Sequence, residues 1–421
     1  MDYIKKNKKS NIFTVILILI LIFLYITFPG NFNLIKLSLL LIIVMYSFFL
    51  IIISKKIDRP AFLLTCLTIS IVSMFFIMNG YYKKFELDFT IFQVYIFTPL
   101  SVYFITNLLK SKENVVLFLN GLRIVLSFLI LYDFIYILGA LGIIPQFITW
   151  EQNTSIVGNN FLTARLSNMN SLMFLLPMEY TNFILGDGIR KNISTNKLMF
   201  FNIIFGGIIV LLSGRRALQL VFLMSICIII LVKIVISKKT LLKINKSFLI
   251  LFSTIIILIC IFEIFSKLLG IDNLFYTFFN TLKNAFDTSS NSSIIRQQQN
   301  YVLLFEWKKT PIFGNGLTAF VDYYVRSQDT KWSYEHFYVA LLYQTGIVGI
   351  MFYATIVIMI IKNLLTSIKN IKDKDLKVWT LSILVGFIAY LLASFTNPMI
   401  TSLWPWILVT TVMSKKLYKE T

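Results

Sequence analysis

Histidine occurs once in 421 residues, as His336, which excludes a metal site built from several imidazoles. Cysteine occurs three times, and Cys66, Cys227 and Cys260 all lie inside long apolar runs. The polar segments therefore have no disulfide framework, CxxC pair or zinc-type spacing to draw on. The carboxylates of the two long polar loops, 141–170 and 268–336, form no DxD-type cluster suited to magnesium, so no metal or other cofactor is expected. Arginine is scarce as well, with 8 residues against 31 lysines. There is no internal repeat, no low-complexity tract and no separable soluble domain, so residues 1–421 read as a single integral membrane domain.

Apolar sequence is what the chain has in abundance. Hydrophobic residues make up 57% and charged residues 14%, and the mean hydropathy is +0.81. That composition belongs to polytopic membrane proteins. A helix needs roughly 17 to 25 apolar residues to cross about 30 Å of hydrocarbon. Twelve stretches meet that description or approach it: 12–29, 33–53, 60–79, 89–109, 114–140, 171–186, 198–212, 215–237, 247–267, 337–362, 378–395 and 402–413. The expected fold is an all-α bundle of about 12 transmembrane helices, with polar loops at 141–170 and 268–336, the larger one between helices 9 and 10.

Lysine and arginine set the orientation of such a bundle. With "MDYIKKNKKS" in the cytoplasm, the loops "SKKIDR", "KSKE", "IRKNISTNK", "SKKTLLKINK" and "KNIKDKDLK" and the tail "SKKLYKE" also face inward, and every one is basic. The opposite loops "PGNFN" and "TNPMITS" carry no lysine or arginine, and in "YYKKFELD" Glu86 and Asp88 offset Lys83 and Lys84. Both long loops then lie outside. The net charge of +20 is accounted for by topology, so no nucleic-acid partner is expected. The first span has no small-residue cleavage site after it and reads as a retained helix.

Five of the eight arginines, Arg165, Arg215, Arg216, Arg296 and Arg326, fall on the outer side, against the orientation rule. A guanidinium fork matches phosphate oxygens in a way an ammonium does not, although a helix-end arginine also serves as an interfacial anchor. Arg215 and Arg216 open a span whose N-terminus points outward. Two cations there are unfavourable by roughly 0.3–1 kcal/mol each unless an anion binds. Arg165 precedes another outer helix start, and His336 a third. In "SYEH", Ser333 reads as an N-cap, Glu335 as a first-turn residue and His336 as about the third helical position. A helix N-terminus favours the neutral imidazole, which is the form a general base needs. Packing in an aromatic belt with Trp332, Tyr334, Phe337 and Tyr338 is the alternative role for this residue.

Four segments carry a resemblance. "SYEHFYVALLYQTGIVGIMFY", with Gly346 and Gly349 bracketing a GxxG turn, "EWKKTPIFGNG", ending in Gly314 and Gly316, "LLSGRRALQL" and "TARLSNMNSLMFLL" together resemble the O-antigen ligase and polysaccharide polymerase family of bacterial envelope glycosyltransferases. The likeness covers about 165–350 in separate pieces. It departs from the family pattern where Arg215 follows Gly214 directly, so either Arg215 or Arg216 is the equivalent arginine.

The resemblance implies a GT-C-like, metal-independent, inverting transferase at the outer face of the bacterial cytoplasmic membrane. Its donor would be an oligosaccharide on undecaprenyl diphosphate and its acceptor a glycan hydroxyl, in O-antigen, capsule or exopolysaccharide synthesis. Arg215 and Arg216, assisted by Arg165 and Arg296, would hold the diphosphate. His336 would orient or deprotonate the acceptor, with Glu335 in reserve. A polymerase is the reading preferred here; a ligase delivering the glycan to lipid A core has the same four elements. A chain-length regulator and a flippase are candidate partners. A transporter or flippase is the alternative from another class, and it would place its function at the mid-span residues Asp133 and Glu179.

Overall fold

Apolar runs of this length have no stable choice in lipid except to satisfy their backbone internally as helices. The computed structural model follows that rule and describes residues 2–55, 57, 59–140, 143–148, 166–186, 193–213, 215–237, 291–325, 328 and 330–413. Twelve helices order these residues: α1 (Asp2–Thr27), α2 (Asn33–Ser54), α3 (Pro60–Tyr82), α4 (Phe89–Leu108), α5 (Lys112–Ala140), α6 (Met169–Leu185), α7 (Ile193–Leu212), α8 (Arg216–Ser237), α9 (Asn291–Trp307), α10 (Phe337–Asn370), α11 (Lys374–Ala393) and α12 (Leu403–Val412). No strand occurs among the described residues.

Among the described residues six helices, α2 to α5, α10 and α11, are long and apolar enough to cross a membrane. Side chains such as Ile42, Ile71, Met351 and Ile358 are exposed on them, as a lipid-facing surface requires. The chain is an all-helical polytopic membrane protein. The first, seventh, eighth and twelfth expected spans are shorter apolar helices within α1, α7, α8 and α12, and the sixth is α6. The ninth, 247–267, lies outside the described residues, as do most of the 141–170 loop and residues 268–290 of the larger one.

The core is organised around α6, whose residues from Ser171 to Asn182 are all buried. A helix enclosed on every side is a central helix. Its closest neighbour is α11, where a Cβ on Gly386 would come within 2.7 Å of the Phe174 carbonyl. Phe174 also meets Tyr390 and Trp404 edge-on, with ring centroids 5.8 and 5.3 Å away. The α5, α6 and α7 helices are pinned by a buried ion pair, Arg123 Nε to Glu179 Oε1 at 2.7 Å. Asn202 Nδ2 donates to the Arg123 carbonyl at 3.4 Å, and the guanidinium lies 4.6 Å from the Trp379 ring centroid on α11.

The long polar loop contains structure that its polarity concealed. Within it, α9 runs beside the first turns of α10, with Leu303 packed against Ala340 and Tyr343. Helix α10 is broken at Gly346, which has φ 63° and ψ −167°. The segment after α9 fills the break. Asn315 and Gly316 donate their N–H groups to the carbonyls of Tyr343 and Gln344 at 3.0 and 2.6 Å. Ile347 and Val348, which would bond to those same carbonyls in a continuous helix, donate instead to Pro311 and Ile312 at 3.0 and 3.1 Å. Close backbone approach explains three glycines of the two resembling segments, Gly314, Gly316 and Gly346. A Cβ on Gly346 would sit 2.3 Å from the Ile312 oxygen, and one on Gly316 would sit 2.1 Å from the Gly80 nitrogen. Lys83 Nζ seals the turn from α3 with a 2.8 Å bond to the Gly314 carbonyl.

Candidate functional site

His336 stands where α9, α10 and the end of α11 meet. It is the N-cap of α10, with no side-chain cap bond, rather than the third helical residue, and Ser333 is not the cap. The reason lies in the preceding residues, which pack along α10 instead of winding into it. Buried Tyr334 accepts the Val321 N–H at its hydroxyl at 2.8 Å, and Gln344 Nε2 donates to the Trp332 carbonyl at 2.8 Å. From α4, the N-capping Asp88 accepts the indole N–H of Trp332 at 2.8 Å.

Gln299 of α9, only 2% exposed, accepts the backbone N–H of His336 at 3.1 Å through Oε1. The imidazole itself is hydrogen-bonded to the backbone of Phe395, just beyond α11. Nε2 is buried and has no hydrogen-bond partner among the described residues. Burial, and then the nearby Arg296 cation, hold the ring below its ordinary value of 6.5, against the opposing pull of Glu335 and the Phe395 bond. The result is an imidazole biased toward its neutral form, with Nε2 unbonded among the described residues. Burial, ahead of the helix end, is the main cause.

Glu335 and Arg296 form a pair of their own, Oε2 to Nε at 2.7 Å, partly open to solvent. Arg296 is thus drawn to the histidine as partner of Glu335. Desolvation being incomplete, such a pair stabilises by only about 0–1 kcal/mol, weak enough to rearrange around an incoming anion.

Arg215 lies immediately before α8, and Arg216 is the first residue of that helix. The Arg215 guanidinium reaches α6, donating through Nη2 to the Leu166 carbonyl at 2.8 Å and through Nη1 to Asn170 Oδ1. Two of the resembling segments, "SGRR" and "RLSNMN", are therefore joined by one side chain. Both of these acceptors are uncharged oxygens, and the two bonds orient the guanidinium. The turn before α6 is held in turn by Asp133 of α5, which accepts from Asn168 Nδ2 at 2.7 Å, both side chains being fully buried.

The histidine and Arg215 clusters occupy one end of the bundle. Asn170 begins α6, Phe395 follows α11, and these two helices pack along their length. Arg165 and Arg326 lie outside the described residues. No three His, Cys, Asp or Glu side chains converge as a metal site would among the described residues.

Sequence reasoning missed Gln299, Asn170 and the Phe395 carbonyl. Of these, only Asn170 gave a signal, since it belongs to the arginine-then-asparagine segment. Gln299 sits in a run of three glutamines, and periodicity alone does not say which one faces inward. No protein-family model, curated protein or solved structure matches this chain, so the site has to be read from its own geometry.

Proposed function

We propose that the protein is a metal-independent, inverting polysaccharide polymerase of the bacterial cytoplasmic membrane. It moves a glycan from undecaprenyl diphosphate onto a sugar hydroxyl of another lipid-linked repeat unit. The reading takes a GT-C-like bundle of twelve spans with both termini in the cytoplasm and the long loop outside, so that transfer occurs at the extracytoplasmic face. The observation that carries it is His336, a half-buried imidazole whose backbone N–H is held by Gln299 and whose Nε2 is unbonded among the described residues.

In the reaction, the acceptor oxygen forms a bond to the anomeric carbon on the face opposite the diphosphate. The acceptor proton passes to Nε2 of His336. The bond from the anomeric carbon to the diphosphate oxygen breaks, and its electron pair leaves with the phosphate. Arg215 and Arg216, assisted by Arg165 and by Arg296 released from Glu335, neutralise the departing charge. Diphosphate is already a good leaving group, so alignment and charge stabilisation carry most of the work. Glu335 keeps Arg296 in place and is the reserve base.

The test supplies purified protein with a short glycan on undecaprenyl diphosphate in the presence of a chelator. The wild type builds a ladder of longer lipid-linked chains. His336→Ala slows it by about 10²–10⁴-fold, the usual worth of a general base. Arg215→Lys, which loses the two-pronged grip on Leu166 and Asn170, retains more turnover than Arg215→Ala but less than wild type. A product that forms only on lipid A core makes the protein a ligase with the same chemistry. Translocation that depends on Asp133 or Glu179 and ignores His336 would replace the transferase reading with transport.

A further inference from the structure

Helix α9 is amphipathic in the sense opposite to that of a helix bathed in water. Its most buried residues are Gln299 and Leu303, and Arg296 on the same side is paired with Glu335. The other side exposes Ile294, Tyr301, Leu304 and Phe305, with Tyr301 at 72% and Phe305 at 50%, and is interrupted only by the uncharged amides of Gln297 and Gln298. At roughly 100° per residue, Ile294, Tyr301 and Phe305 fall within about 40° of one another. A helix that met water on that side would turn charge outward and its apolar stripe inward.

The position of α9 supplies the medium that this face meets. Helix α10 carries no charged residue from Phe337 to Ile361, the first being Lys362. At 1.5 Å per residue that run measures about 37 Å. Bilayer hydrocarbon is about 30 Å thick, and about 40–45 Å with its headgroups. With Lys362 among the headgroups of one side, the first turns of α10 reach those of the other. Helix α9 lies beside these turns, its Gln299 on the His336 N–H and its Leu303 against Ala340 and Tyr343.

The apolar face is also continuous with the lipid-facing surface of the spans. After α9 the chain crosses to the break in α10, where Pro311 and Ile312 accept the N–H groups of Ile347 and Val348, and the Phe313 ring meets Phe75 of α3 at 6.1 Å and 70°. Ile312, Phe313, Phe75, Ile347 and Met351 are all exposed, and the last three belong to helices long and apolar enough to cross a membrane. Trp307, Lys308 and Lys309, at the end of α9, are residue types that anchor a chain at the boundary between lipid and water.

We infer that α9 is an interfacial helix whose outward face is seated in the lipid leaflet at its own end of the bundle, with acyl chains rather than water covering Tyr301 and Phe305. The inference stands apart from the transferase reading. It holds Arg296 and Gln299, on the opposite face of the same helix, at headgroup depth.

The experiment uses the full-length chain in phospholipid vesicles, with Cys66, Cys227 and Cys260 replaced by alanine and a single nitroxide attached through Tyr301→Cys or Phe305→Cys. Met351→Cys on α10 is the lipid reference and exposed Lys372→Cys, before α11, the water reference. Collisions are measured with oxygen, which concentrates in lipid, and with a water-soluble nickel chelate. Labels at 301 and 305 should behave like the label at 351, with nickel collisions several-fold rarer than at 372. A second measurement keeps the native cysteines: a photoreactive benzophenone side chain in place of Tyr301 should crosslink to phospholipid. Nickel collisions at 301 and 305 equal to those at 372 would put the face in water and overturn the inference. Protection from both reagents, or crosslinks to protein alone, would show the face covered by protein and overturn it equally.

Discussion

Gly316 donates its backbone N–H to the carbonyl of Gln344 at 2.6 Å, in the place that the Val348 N–H would hold in an uninterrupted helix. Three companion bonds complete the exchange, so α10 loses no backbone pairing at its break. The conformation of Gly346 lies in a region that, in practice, only glycine adopts. Gly346→Ala should therefore destabilise the protein by about 2–4 kcal/mol, through backbone strain and the clash with the Ile312 carbonyl. Thermal unfolding in detergent, together with proteolysis of residues 310–316, reads out both effects. An unchanged midpoint with no new cleavage would contradict the exchange.

The histidine makes a pH prediction with a definite sign. A general base works only when neutral, so activity falls as pH drops through its pKa. Burial and Arg296 hold that pKa below 6.5, and the acid limb of kcat/KM should lie below 6.5 accordingly. Arg296→Met removes the cation and its hold on Glu335, and both changes favour the imidazolium. The limb should then move to higher pH. If it stays in place while activity persists, a group other than His336 is titrating.

The ion pair between Arg123 and Glu179 has side-chain exposures of 2% and 0%, so neither charge has water to fall back on. Arg123→Met or Glu179→Leu alone should lower stability by about 3–5 kcal/mol, because each strands a buried charge. The double replacement should recover most of that loss, since a packed apolar pair dispenses with the desolvation cost. Thermal midpoints of the three variants test the point. Additive losses in the double variant would show that the two charges act on separate partners.

How far the sequence could be read depended on which signal each element carried. Apolar length announced α2 to α5, α10 and α11, because crossing lipid leaves little choice of conformation. Helix α9 was hidden, because "NSSIIRQQQNYVLLFEW" buries only a stripe, here Gln299 and Leu303, and by composition reads as a loop. The break in α10 was hidden for the opposite reason. "LLYQTGIVGIMFY" is continuous in apolarity, and glycine within such a run is ordinarily tolerated in a helix, so only the resemblance marked a glycine-bracketed turn there. At the site, the residue types pointed to His336, Glu335, Arg215 and Arg296, but the pairings came from tertiary contacts. Arg296 faces Glu335 across 39 positions, and Arg215 meets Leu166 across 49. No local spacing encodes partners that far apart.

The exchange at Gly346 also has a consequence for how the chain is made. Residues 311–316 precede α10, so when the ribosome finishes that helix the segment that fills its gap has already been synthesised. Within lipid each unpaired backbone group costs several kcal/mol, and a gap waiting for a later segment would stall insertion. Here the order of translation supplies the missing partners before they are needed, and the broken helix enters the membrane already mended.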